Sequence, residues 1–224
     1  TVFGKIVMCL NPRHSSLLFL ERIIFKRKHY RQITCISEQC KKEIVNHYKV
    51  SPHTIEIIYN GINISIFTPK NRTTYRDTVR ATYGIAPDEV LLLFVGSGFK
   101  RKGLKYVIEA LSLINKSQKT KLLVVGKGTI REHQRLARKN GVLDKLIFAG
   151  VCKHIQEIYA GGDIFVFPSD YDAFGTACLE SMASGLPVIA SKSSGVSEII
   201  AQGQDGFVIH HPIDAREIAK YMNV

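Results

Sequence analysis

The feature that most restricts the fold is an alternation. From Glu89 onward, short runs rich in β-branched and aromatic residues alternate with runs at helical spacing, the pattern of a parallel sheet joined by crossover helices. Strands are predicted at Val90–Gly96, Lys121–Gly126, Leu146–Ala149, Ile164–Pro168, Val188–Ala190 and Gly206–Ile209. Between the first two, Leu104, Val107, Ile108 and Leu111 recur at i, i+3, i+4 and i+7 and define an amphipathic helix. Gly141 ends the next helix, and Gly185 followed by Pro187 ends a later one, through left-handed capping and a proline stop. The fold class is therefore α/β, a doubly wound, Rossmann-like parallel sheet.

Before Glu89 the pattern is less regular. A helix is predicted from about Ser15 to Lys28, a strand at Gln32–Ser37, a helix at Glu38–Tyr48 and an extended run at Ile55–Tyr59, with a turn at Asn60-Gly61. Apolar periodicity fades from Phe67 to Arg80, which reads as a linker entering a polar helix. The domain boundary is placed near residue 68, giving segments 1–68 and 69–224. There is no internal repeat. The chain starts at Thr1 without an initiator Met and stops at Val224 inside a helix-like run. Both ends read as cuts from a longer protein.

Composition excludes several classes. No run reaches the roughly 18 apolar residues of a membrane span, and the N-terminus has no signal-peptide pattern. Cys9, Cys35, Cys40, Cys152 and Cys178 are scattered, without the pairing of zinc or redox sites, and read as reduced thiols in cytoplasm. The Asn-x-Ser/Thr triplets at Asn63, Asn71 and Asn115 then carry no meaning. A net charge of +12 points to an anionic partner. Basic residues crowd two places: Arg22, Lys26, Arg27, Lys28 and Arg31, then Lys100, Arg101, Lys102 and Lys105. No aromatic ribbon or helix-turn-helix pattern accompanies them, so nucleic acid is not the expected partner. The eight histidines show no ligand spacing, and neither a metal site nor a nucleophile is predicted.

Two strand–loop–helix segments can carry chemistry. In the first, a strand ends at Pro168, a polar loop follows, and a helix begins near Gly175. Ligands sit at this carboxyl edge of open α/β sheets, and a helix start offers N–H groups to a phosphate. Glu180 lies about five residues into that helix, roughly 7.5 Å along its axis. Asp172 stands on the other side of the helix mouth. Two acceptor carboxylates flanking an anion site suit the hydroxyls of sugars on either side of a diphosphate. The neighbours Ala177, Cys178, Leu179, Met182 and Ala183 imply a buried helix, where a carboxylate is costly unless paired. The alternatives are that Glu180 salt-bridges a nearby lysine or caps a backbone, and that Asp172 makes a local turn. In the second segment, Gly96-Ser97-Gly98-Phe99-Lys100-Arg101-Lys102-Gly103, the spacing fits neither the phosphate-loop nor the dinucleotide fingerprint. What remains is a basic turn whose Lys102 can meet a diphosphate. Gly126-Lys127-Gly128 reads as a tight turn without a role.

The ordered series Ile55–Asn63, Val95-Gly96 with Arg101–Leu104, Leu123–Gly126, Phe148–Gly150, Asp163–Ser169 and Leu179–Ala190 resembles the retaining glycosyltransferases of the two-Rossmann (GT-B) fold, fourth sequence family, also called group 1. The likeness runs from about residue 32 to the end. Within the family, the basic early segment and Phe94–Gly103 look closest to bacterial lipopolysaccharide-core glucosyltransferases. The resemblance implies that 1–68 is the remnant of an acceptor-side Rossmann-like domain with the inter-domain passage, and that 69–224 is a Rossmann-like domain that binds the donor. It implies that Gly98, Arg101 and Lys102 hold a diphosphate, Glu180 the ribose, and the amides of Phe174, Gly175 and Thr176 the diphosphate and sugar. Val151 and Cys152 would lie beside the base. Lys102 and Asp172 are the implied catalytic pair. Asp172 departs from the usual Glu, and Ser97 stands where many members carry an arginine.

The implied reaction is transfer of a hexose, glucose favoured, from a UDP-linked donor to a lipopolysaccharide-core or other membrane-associated glycan. It needs no metal and no cofactor beyond the donor substrate. The chain alone is expected to be inactive, and the enzyme cytoplasmic, peripheral on an anionic membrane face. The competing readings are a non-catalytic sugar-nucleotide-binding module and a UDP-sugar epimerase of similar fold.

Overall fold

Short N-terminal elements and continuous apolar runs further on produce two different sheets, one of two strands and one of six. The computed structural model describes residues 12–26, 30–115, 117–211 and 213–223. Contacts divide the chain into units Thr1–Tyr59 and Asn60–Val224. Residues 60–68, grouped with the first segment in the sequence reading, thus belong with the second unit.

The first unit contains α1 (Pro12–Lys26), β1 (Ile33–Cys35), α2 (Glu38–Tyr48) and β2 (Ile55–Ile57), with β1 and β2 parallel. The Ser37 hydroxyl caps α2 by accepting from the Cys40 amide at 3.1 Å, and Lys49 ends it at φ 56°. Cys35, Val50 and Ile55 form a small core beneath Phe25, whose ring stacks on Tyr48. On α1, Leu17, Phe19, Leu20 and Ile24 are exposed. Arg22 and Arg31 are exposed as well. The rest of that basic cluster, the Lys26 side chain with Arg27 and Lys28, lies outside the described residues, as does Cys9.

The second unit begins with α3 (Asn71–Thr82), followed by β3 (Val90–Val95), α4 (Leu104–Leu111), β4 (Thr120–Val125), α5 (Ile130–Lys139), β5 (Leu146–Gly150), α6 (Ile155–Gly161), β6 (Ile164–Phe167), α7 (Thr176–Ala183), β7 (Val188–Ser191), β8 (Gly206–Ile209) and α8 (Ala215–Met222). The expected strands all form, within a residue or two of their predicted limits. All pair in parallel, in the order β5-β4-β3-β6-β7-β8. A parallel sheet covered on both faces requires strands without a polar side. In β3 this is met by Leu91, Leu92, Leu93 and Phe94, all fully buried. Leu92 and Phe94 point to the layer of α4 and α8, with Leu104, Ile108 and Ile218, while Leu91 and Leu93 point to the layer of α6 and α7, with Ile158, Tyr159 and Cys178. The last helix ends at Met222.

Helix α3 answers why a stretch without apolar periodicity still docks firmly. Arg72, Arg76 and Arg80 recur every four residues, on one helix face, and converge on Asp163 at 3.1, 2.8 and 3.1 Å. Their guanidinium groups also donate to the carbonyls of Gly161 and Gly162 at the end of α6. Burial pushes the Asp163 carboxyl up, but the Leu91 amide and the Arg76 and Arg80 charges outweigh it and hold it below the ordinary aspartate range.

Candidate functional site

The strand order reverses between β3 and β6. Chain connections leave these strands in opposite directions along the sheet, so a crevice opens at their carboxyl ends. Both segments singled out in the sequence follow these two strands. Gly103 locks them together. It adopts φ 77°, and a Cβ there would lie 1.8 Å from the Pro168 carbonyl oxygen. Only glycine fits. The Gly126-Lys127-Gly128 turn, read as having no role, supports this loop from the other side. A Cβ on Gly126 would lie 2.1 Å from the Gly96 carbonyl oxygen, and the Gly98 amide donates to the Lys127 carbonyl at 2.7 Å.

Lys102, beside Gly103, is thereby aimed at the β6–α7 loop. Its ammonium donates to Asp172 Oδ2 and lies 4.5 Å from the centre of the Phe167 ring. The side chains of Lys102 and Asp172 are each only 14% exposed, so solvent screens the pair weakly. Arg101 is more open. It donates to the Tyr171 carbonyl at 2.8 Å and reaches Asp172 Oδ2 at 3.4 Å. Gly98 and Lys100 are exposed on the same turn, where a groove of about 440 Å³ is lined by Gly98, Phe99, Arg101, Thr129 and Asp170.

The Asp172 loop is built on serine hydroxyls, those of Ser191 and Ser194 fully buried. The hydroxyls of Ser191 and Ser193 donate to the Ser169 carbonyl at 2.6 and 2.7 Å, and that of Ser194 to the Phe174 carbonyl at 3.1 Å. Asp172 therefore combines two roles that the sequence set apart. Its Oδ1 accepts the Phe174 amide at 3.3 Å, the local turn, while Oδ2 takes Lys102 and Arg101. Gly175 at φ 93° is pressed against Ser194 and Phe167. Helix α7 then starts at Thr176 with no side-chain cap on its first-turn N–H groups. Thr176 is exposed, whereas Phe174 and Gly175 are buried.

Glu180 corrects two expectations. Helix α7 is not buried all round: Cys178 and Ser181 are its buried residues, and Glu180 is half-buried. Its partner is neither a lysine nor a cap, but the Tyr159 hydroxyl, which donates to Oε2 at 2.8 Å. Burial raises the Glu180 carboxyl above its ordinary range, and the Tyr159 hydrogen bond opposes that rise. Tyr159 was not singled out in the sequence. Its spacing with Ile155 and Ile158 marks only a core face, so no signal there distinguishes it from packing. Val151 and Cys152 follow β5, two strands from the crevice; Val151 is 63% exposed and Cys152 half-buried. His133 is buried and edge-on to Phe99. Among the described residues no group of three or more His, Cys, Asp or Glu is placed to hold a metal.

A parallel six-stranded sheet with a basic loop and a helix mouth meeting at its switch point is an architecture of two-Rossmann glycosyltransferases. The chain belongs to that class: residues 75–224 match the family Glycosyl transferases group 1, and residues 8–66 match Glycosyltransferase Family 4. Among individual relatives, the lipopolysaccharide glucosyltransferase WaaG of Escherichia coli K12 is 29% identical over 211 residues, covering 93% of this chain and 56% of its own length. The crystal structure of WaaG superposes with a TM-score of 0.86 at 28% identity, over 96% of this chain and 59% of that one. The uncharacterized glycosyltransferase MJ1607 of Methanocaldococcus jannaschii is 31% identical over 182 residues, 80% of this chain and 47% of the relative. Anabaena HepE in complex with UDP and glucose shares the fold, with a TM-score of 0.81 at 21% identity over 96% of this chain and 59% of its own. The chain spans about half the length of the curated relatives it matches.

Proposed function

We propose that this chain is the donor-binding half of a retaining glycosyltransferase that moves a hexose, glucose favoured, from a UDP-linked donor to a lipopolysaccharide-core or related membrane glycan. The observation that carries the reading is the convergence of Lys102, Arg101, Asp172 and the start of α7 at the β3/β6 crevice. Lys102, Arg101, the Gly98 turn and the amides of Phe174, Gly175 and Thr176 meet the diphosphate. Glu180 accepts the ribose hydroxyls, and Val151 and Cys152 flank the base. As the glycosidic bond breaks, negative charge grows on the diphosphate, and cations already held in place stabilise it without reorganising. No cofactor is needed for that step. Asp172 holds Lys102 until the donor arrives and then takes hydroxyls of the transferring sugar. Glucose as the donor sugar is supported by the likeness to WaaG.

Calorimetry with UDP and UDP-glucose tests the donor site. Binding that Lys102→Met weakens supports it, and no binding of either nucleotide overturns it. For the reaction, the full-length gene product is incubated with UDP-glucose, with and without lipopolysaccharide core. Transfer to the core with the α configuration kept is expected, whereas an epimerised nucleotide sugar formed without acceptor would refute the assignment. Membrane attachment belongs to the same proposal. It is supported by exposed Leu17, Phe19 and Leu20 on α1 and by the adjoining basic residues Arg22 to Arg31.

A further inference from the structure

We infer that Tyr159 is a positioning residue for the nucleotide, its buried hydroxyl fixing the Glu180 carboxylate in the orientation that accepts a ribose. The inference rests on the reading of Glu180 as the ribose acceptor. Tyr159 lies on α6, outside both loops of the crevice, and is fully buried. A tyrosine hydroxyl in such a place requires a partner. Its single proton has two acceptors in range, Glu180 Oε2 at 2.8 Å and the Ala177 carbonyl at 3.2 Å. The shorter bond, to the carboxylate, is also the charge-assisted one.

The terminal torsion of a glutamate is broad, so a half-buried carboxylate without such a bond sweeps over many orientations. One hydroxyl bond removes that freedom while using one of about four acceptor positions on the carboxylate. The others are left for two vicinal hydroxyls. Tyr159 is itself held. Its ring packs against Phe165 at 5.9 Å and edge-on to Phe67 at 6.0 Å. Phe67 is fixed in turn by a turn at Asn63, whose carbonyl accepts the Phe67 amide at 3.0 Å. The segment 60–69 also touches the start of α7 and the turn that follows it: Asn60 reaches the Thr176 hydroxyl at 3.4 Å, and Pro69 abuts Gly185, where a Cβ would lie 3.2 Å from it. Besides Glu180, the Cys178 thiol of α7 is the titratable group that acts on Tyr159.

The test compares UDP with 2′,3′-dideoxy-UDP, which lacks the ribose hydroxyls, by calorimetry across pH. Tyr159→Phe is expected to weaken UDP about tenfold, the scale of one hydrogen bond to a charged group, and to leave dideoxy-UDP unchanged. Without the hydroxyl the Glu180 carboxyl rises further, so UDP binding by the variant fails at a higher pH on acidification than in the parent. Adding Tyr159→Phe to Glu180→Gln should cost nothing more. If Glu180→Gln abolishes the preference for UDP over dideoxy-UDP while Tyr159→Phe keeps it, the inference is wrong and the Glu180 reading stands. Equal weakening of both nucleotides by Tyr159→Phe, with no move of the acid limb, makes Tyr159 a packing residue and overturns it. A preference that survives Glu180→Gln sinks both readings. Should Tyr159→Phe not fold, Phe67→Leu decides: a loss of the ribose preference supports the inference, and its full retention refutes it.

Discussion

Replacing Asp172 by Asn separates the two tasks that the structure gives this carboxylate. The Asn carbonyl oxygen can still accept the Phe174 amide, so the turn is kept. What disappears is the charge that Lys102 and Arg101 share. Lys102 and Asp172 are each 14% exposed, so their bond belongs with charge-assisted contacts worth about 1.5–3 kcal/mol. The Arg101 contact, at 3.4 Å with Arg101 54% exposed, adds little. A loss of about 2 kcal/mol follows, or roughly 4–8 °C in Tm for a domain of this size. Donor affinity should behave differently, because Asp172 competes with a diphosphate for Lys102. UDP is therefore expected to bind Asp172→Asn at least as tightly as the parent chain, while turnover of UDP-glucose falls. Urea unfolding and UDP calorimetry on the same preparations measure both quantities. Unchanged stability would mean that the ion pair contributes nothing. A drop in UDP affinity equal to that of Glu180→Gln would refute the division of labour between the two acids.

The arginine ladder of α3 should fail in order of burial: Arg80→Met costs about 3 kcal/mol as a broken buried pair, and Arg72→Met, 44% exposed, under about 1 kcal/mol, both read by urea unfolding. Asp163 has a folded pKa below its ordinary 3.8, so its contribution is complete above that value and is lost as pH falls through the folded pKa. The stability gap between parent and Asp163→Asn should accordingly close on acidification, and a gap that widens would contradict the assignment. Gly103→Ala should abolish UDP binding or folding, whereas Gly98→Ala, at the same φ of 77° but with nothing within 4 Å, should cost only about 1 kcal/mol. Changing Lys26, Arg27 and Lys28 to Ser is expected to weaken binding to anionic vesicles by roughly 3 kcal/mol at low salt, at about 1 kcal/mol per charge; co-sedimentation unaffected by the change would exclude the membrane role.

Sequence reading reached the second sheet because its strands are continuous apolar runs, and such runs have few alternatives once helices separate them. It reached the loops of Lys102 and Asp172 for a related reason: a strand, a glycine and a helix start are local signals. It went astray where structure depends on pairs distant in the chain. The α3 arginines look like a polar linker until Asp163 is brought beside them. Residues 60–68 look like a passage until Phe67 is seen against Tyr159. The acid pair was legible as two carboxylates, but their partners, Lys102 for one and Tyr159 for the other, are set by packing between elements. Apolar periodicity cannot mark a tyrosine that is both core and hydrogen-bond donor.

The contact between Gly103 and the Pro168 carbonyl has a consequence for how such a site can change. It admits not even a methyl group, and beside it the Asp170 amide donates to the Arg101 carbonyl at 2.9 Å, so the two loops are pinned together over 101–103 and 168–172. Sequence can drift at the exposed positions 97, 100, 170 and 171 in or beside the pinned stretches. Neither loop can be re-angled alone. Engineering a new donor preference by exchanging loops with a relative would thus require moving residues 97–103 and 168–175 as one cassette, since half of the exchange would seat one loop against a neighbour shaped for another.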